Sequence, residues 1–99
     1  MPGTIGSQRL TADGVVGVSG KPITVYNVVM LSGAGGAGEL VLRDGTSASD
    51  TAYVTEAGTA ASKTKTYNFD GGLYFPDGCF FDIDTNTAAI VIDFEQIRA

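Results

Sequence analysis

Short apolar runs alternate with clusters of Gly, Asp, Asn, Ser and Pro along almost the whole chain, and this punctuation leaves little room for anything but strands. After Asp13-Gly14 the runs are Val15 to Val18, Pro22 to Ser32, Glu39 to Arg43, Thr51 to Glu56, Thr64 to Phe69, Leu73 to Phe75, Cys79 to Asp84 and Ala89 to Glu95. Their separators include Ser19-Gly20, the stretch Gly33 to Gly38, Asp44-Gly45-Thr46-Ser47, Asp70-Gly71-Gly72, Pro76-Asp77-Gly78 and Thr85-Asn86-Thr87. Such residues tolerate positive φ or make local turn hydrogen bonds. No window repeats apolar residues at helical spacing over three turns, and the alanine-rich piece Ala57 to Ser62 is short and broken by glycine. The expectation is an all-β chain: a single small antiparallel β-sandwich, jelly-roll-like, of seven to eight strands. Residues 1–13 carry only the isolated apolar residues Ile5 and Leu10, so they read as an N-terminal arm, with the sandwich domain at 14–99.

A length of 99 residues allows one domain, and 43% apolar against 17% charged residues is enough for a core. With a net charge of -5, the field repels phosphate backbones and anionic lipid, which disfavours nucleic acid and membrane as partners. The longest uncharged stretch, Pro22 to Gly38, holds a proline and four glycines and does not read as a membrane helix. The opening residues have neither a basic flank nor an apolar run, so the expectation is synthesis and use without a secretory signal. A lone cysteine, Cys79, offers no internal disulfide.

Period-two alternation is clearest near the end of the sequence. Cys79, Phe81 and Ile83 alternate with Phe80, Asp82 and Asp84, and Ile90, Ile92 and Phe94 alternate with Val91, Asp93 and Glu95. A hairpin over these two runs places Ile83 opposite Ile90, Phe81 opposite Ile92 and Cys79 opposite Phe94, with these apolar partners on one buried face and Phe80, Val91 and the carboxylates on the other. Ile23 to Leu31 is apolar on both faces, as a central strand or one touching another subunit would be. In Glu39 to Arg43, Leu40 and Leu42 share one face.

Chemistry finds few candidates. Without histidine, Ser-His-Asp or Cys-His catalysis and His/Cys zinc sites lack their essential groups. Asp82, Asp84 and Asn86 begin like a calcium loop, but Thr87 stands where that loop needs glycine, and alternation puts the aspartates on a strand. Asp82, Asp84, Asp93 and Glu95 could serve as acid and base on a glycosidic bond, yet they read better as the solvated face of an edge hairpin. The Gly33 to Gly38 cluster has no following Lys-Ser/Thr or helix to make it a phosphate cradle, and reads as a flexible loop. Tyr67, Phe69, Tyr74, Phe75, Phe80 and Phe81 crowd fifteen residues, where packing and subunit contact outweigh a carbohydrate platform. Cys79 reads as a small buried hydrophobe. No cofactor and no metal is expected, and no catalytic residue.

The ordered series Val25-Tyr26-Asn27-Val28, Leu40 to Ser47, Tyr53-Val54-Thr55-Glu56, Gly72 to Cys79 and Ala89 to Asp93 resembles the small β-sandwich virion proteins of tailed bacteriophages, over roughly residues 15–97. The resemblance implies a non-enzymatic head decoration, or cement, protein, made in the host cytoplasm and added to the capsid surface. Its partner would then be the major capsid protein, and its working form a homo-oligomer, with a trimer favoured. A tail- or fibre-associated module that binds a receptor or carbohydrate is the alternative. For capsid or subunit contact the candidates are Ile5, Arg9 and Leu10 on the arm, Tyr26, Val28 and Met30 on the two-faced run, and Tyr74 among the aromatics.

Overall fold

A computed structural model describes residues 4–58 and 60–96. They form eight strands, β1 (Thr4–Leu10), β2 (Gly14–Val16), β3 (Ile23–Ser32), β4 (Glu39–Asp44), β5 (Thr51–Ala57), β6 (Thr64–Phe75), β7 (Cys79–Ile83) and β8 (Thr87–Gln96). Two four-stranded antiparallel sheets stack on each other, in the orders β1-β8-β3-β6 and β2-β7-β4-β5. The pairs β1·β8, β2·β7, β3·β6 and β4·β5 nest like one long hairpin, and rolling that hairpin adds the pairs β3·β8 and β4·β7. This is the jelly-roll order.

Rolling has a local consequence. Every pair of consecutive strands except β4 and β5 lies in different sheets, so the expected β7–β8 hairpin does not form. β7 runs between β2 and β4, with Phe81 beside Gly14 and Leu42, while β8 runs between β1 and β3, with Ile92 beside Gln8 and Val28. The two apolar rows still turn inward, but they belong to the two sheets on either side of the interior rather than to adjacent strands. Cys79, Phe81, Ile90 and Ile92 have no exposure, whereas Phe94 and Ile83 are half-buried at its margin. Nor is there one acidic hairpin face at an edge. Both strands are central, and Asp82 lies on the outside of one sheet while Asp93 and Glu95 lie on the outside of the other.

Residues 4–10, read from sequence as an arm, are strand β1, paired residue for residue with β8 from Thr4↔Gln96 to Leu10↔Ile90. The runs at 64–69 and 73–75 join into the single strand β6. Asp70-Gly71-Gly72 is a bulge and not a turn: β3 advances from Val25 to Asn27 while β6 spans Asn68 to Leu73, with Gly71 and Gly72 at φ 80° and 91°.

Side chains close the flank between β1 and β2. The Phe94 ring lies between Gly6 and Gly17, and a Cβ on either glycine would come within 3.1 Å and 3.3 Å of it respectively. The Gly17 N–H donates to Gln8 Oε1, and Gln8 Nε2 donates to the Val15 carbonyl. Gln96, 3% exposed, receives the Val18 N–H and donates to the Val18 carbonyl, as a neighbouring strand would. At the end of the roll that holds the β2–β3, β4–β5 and β6–β7 turns, three loops touch through glycine. The Gly45 N–H donates to the Gly78 carbonyl, and a Cβ on Gly78 would stand 3.2 Å from the Gly20 nitrogen.

Phe81→Ala removes a fully buried ring and should cost about 3–5 kcal/mol in urea denaturation. Gly78→Ala, at φ 103° and against backbone atoms on two sides, should cost about 1–3 kcal/mol in the same assay. Costs below about 0.5 kcal/mol, the range of ordinary surface changes, would contradict these placements.

Candidate functional site

Among the described residues, three of the four exposed large apolar side chains, Val18 (44%), Tyr53 (44%) and Tyr74 (57%), gather at the end of the roll where the glycine loops meet. Tyr53 is the extra residue of a bulge, since Leu42 pairs with Val54 and the next residue, Arg43, pairs with Ala52. The bulge turns its ring onto the buried Phe75, with centroids 5.2 Å apart and planes 22° apart. Its hydroxyl donates to Asp44 Oδ2 at 3.1 Å, while Asp44 Oδ1 accepts the Asp77 N–H at 2.9 Å. Partial burial, with the Asp44 carboxylate beside it, pushes the Tyr53 hydroxyl above the ordinary tyrosine range.

The β4–β5 loop is held from within. Asp50 Oδ2 accepts the N–H groups of Thr46 and Ser47 at 2.8 and 3.0 Å, and Arg43 reaches the Asp50 carbonyl. Those backbone donors hold the Asp50 carboxyl below its usual pKa. A rigid tyrosine face, two aspartates and the Ser47 and Ser49 hydroxyls therefore share one end of the molecule.

The contact residues expected from sequence are scattered. Val28 and Met30 have no exposure and pack in this chain's own core, so neither can reach a capsid or a sister subunit. A bulge at Tyr26 is the reason: inward positions run Ile23, Val25, then Val28, Met30, and the outward residues are Val29 and Leu31. Tyr26 is half-buried and donates to Glu95 Oε1 at 2.7 Å, a bond that raises its pKa. Tyr74 is exposed on the outer face of β6, paired with Thr24. Arg9 is exposed on β1, and Leu10 is half-buried against the core. Ile5 pairs with Glu95 through the strand register, but its side chain lies outside the described residues.

The acidic candidates divide in the same way. Asp82 forms an ion pair with Arg43 at 3.2 Å, Asp93 accepts the Ser7 hydroxyl on the opposite outer face, and Asp84 accepts the Glu39 and Asn86 N–H groups in the β7–β8 turn. An open cleft of about 540 Å³ beside that turn includes Thr11, Asp13, Ile83 and Asp84. Its Asp13 is engaged with the Ile83 N–H at 2.8 Å. The glycine stretch 33–38 is tied down rather than loose: Gly33 donates to the Asn86 carbonyl and Gly38 to Ser32 Oγ. Burial pushes the Cys79 thiol far up, which suits a packing role.

Sequence reasoning missed Tyr53 as an exposed group. The run Thr51 to Ala57 has no clean alternation, and only the unequal residue count against β4 marks the bulge. The chain matches no protein-family model and no curated protein.

The depressed Asp50 carboxyl ties the loop to pH. A folded pKa below the unfolded one means that the contribution is complete above the ordinary aspartate value of about 4 and is lost as pH falls through the folded value. Urea melts taken from pH 5 downward should show a steeper acid decline for the native chain than for Asp50→Asn. Equal slopes would detach the loop from acid stability.

Proposed function

We propose that the chain is a non-enzymatic virion structural protein, a capsid decoration protein that binds the assembled head as a homo-oligomer with the major capsid protein as its partner. The observation that carries the reading is the strand order β1-β8-β3-β6 over β2-β7-β4-β5. Eight-stranded jelly rolls are a recurrent architecture of viral capsid and lectin domains, and the warrant is analogy at the level of fold. The dispersion of the carboxylates supports it: Asp82 and Asp93 stand on opposite outer faces, each with a hydrogen-bond partner, so they do not form an acid/base pair.

A second reading, a tail- or fibre-associated carbohydrate-binding module, draws on Tyr53. Its ring stacks on Phe75 and is 44% exposed, with the Asp44 carboxylate on its hydroxyl and the Ser47 and Ser49 hydroxyls on the adjoining β4–β5 loop. A sugar ring stacks on such a surface while its hydroxyls bond the rim.

Virions prepared from a host carrying the gene should hold the protein at fixed stoichiometry in the head fraction by quantitative mass spectrometry. Recovery with separated tails supports the second reading instead, and absence from particles removes both.

A further inference from the structure

A two-sheet sandwich has four edge strands, and exposed edges invite pairing with other chains unless they are blunted. Three of the four are blunted here. β2 is three residues long, and Gln8 takes its Val15 carbonyl and the adjoining Gly17 N–H. β5 carries the Tyr53 bulge, and the Tyr67 hydroxyl occupies its Ala57 carbonyl. β6 is broken by the Asp70-Gly71-Gly72 bulge and carries Lys65. β1 differs: seven residues run in unbroken register with β8, without proline, lysine or bulge, and among the described residues no side chain caps its backbone.

We propose that the free edge of β1 pairs antiparallel with β1 of a second copy about a two-fold axis at Ser7, joining the two β1-β8-β3-β6 sheets into one. The sequence is self-complementary in that register. Centring on Ser7 engages all of residues 4–10 and sets Gly6 across from Gln8, so inward positions meet inward ones and the pleat continues through the seam. Exposed Arg9 then stands across from position 5 of the other copy, whose neighbour on β8 is Glu95, with Asp93 on the diagonal. Arg9 and these acids share one outer face. Among the described residues the ion pair formed within the chain is Arg43–Asp82, which leaves Arg9 for the other copy. An isologous contact repeats each such interaction twice. The inference is independent of the virion reading, and it replaces the three-fold state implied by resemblance with a two-fold seam.

The native chain should show a monomer–dimer equilibrium by light scattering at micromolar concentrations. Arg9→Glu should weaken the dimer roughly tenfold, because reversal sets like charges together twice, and Arg9→Glu combined with Glu95→Arg should restore it. Under mild oxidation Ser7→Cys should cross-link as a covalent dimer, whereas Ser49→Cys, remote from the seam, should not. Cross-linking decides the matter if the charge variants fail to give the native β circular dichroism. A monomer at all concentrations, a trimer, or a dimer in which Ser7→Cys cross-links no faster than Ser49→Cys overturns the proposal.

Discussion

Everything in this molecule depends on two rows of side chains meeting across a gap between sheets. Cys79 and Phe81 on β7, with Leu40 and Leu42 on β4, supply one side of the interior, and Ile90 and Ile92 on β8, with Val25, Val28 and Met30 on β3, supply the other. These are the four central strands, each flanked on both sides. Burial of this set is the main favourable term available to a chain whose one cysteine is free. Lateral hydrogen bonding follows from it, because a strand whose inward row is fixed can accept a neighbour in only one parity. The edge strands are held by these central four and contribute less apolar surface. Of the seven positions of Thr51–Ala57 five are exposed, and β2 is three residues long.

A sandwich built this way is open along both flanks, and the sequence spends particular residues on closing them. Between β1 and β2, Phe94 packs closely on positions 6 and 17, where a Cβ would crowd its ring, and Gln8 and Gln96 act as short substitutes for strand backbone. Gln96 satisfies both the N–H and the carbonyl of Val18 and so holds the β2–β3 loop without any strand beside it. Between β5 and β6, Tyr67 and Tyr53 do the equivalent work with a hydroxyl on Ala57 and a ring on Phe75. Lys65 lies over Tyr67, 5.2 Å from the ring centroid, and keeps that flank charged.

This division explains what could be read from the sequence. Inward rows of β4, β7 and β8 are legible because period two shows itself wherever the inside is wholly apolar and the outside is not. Their neighbours were not legible. Alternation states which way a side chain points but not whether its partner lies beside it or in the facing sheet, and that ambiguity produced the β7–β8 hairpin. β1 escaped notice because its inward row is Gly6, Gln8, Leu10: closing a flank needs a glycine and an amide there, and these erase the apolar signal. The same cause misplaced the candidate contacts. A run apolar on both faces does not declare its inner parity, and the bulge at Tyr26 reverses it, which turns Val28 and Met30 into the core and leaves Val29 and Leu31 facing outward.

Flank closure also bears on which surface is left for a partner. Bulges and caps that blunt β2, β5 and β6 answer to local packing: Tyr53 must leave the ladder to cover Phe75, whereas Gln8 keeps its place opposite Ile92 and meets Gly17 with its side chain alone. β1 supplies the Gln8 side chain for this without disturbing its own backbone, so closing the flank keeps its outer edge straight. The two ends of the roll are meanwhile engaged in loop contacts, through Gly20, Gly45 and Gly78 at one and through Asn86, Gly33 and Gly38 at the other. A partner that adds to the sheet therefore meets an ordered strand at β1, and it binds without the entropic cost of ordering a loose segment. The residues that first look like a detached arm are, for this reason, better suited to recognition as a strand than they would be as an arm.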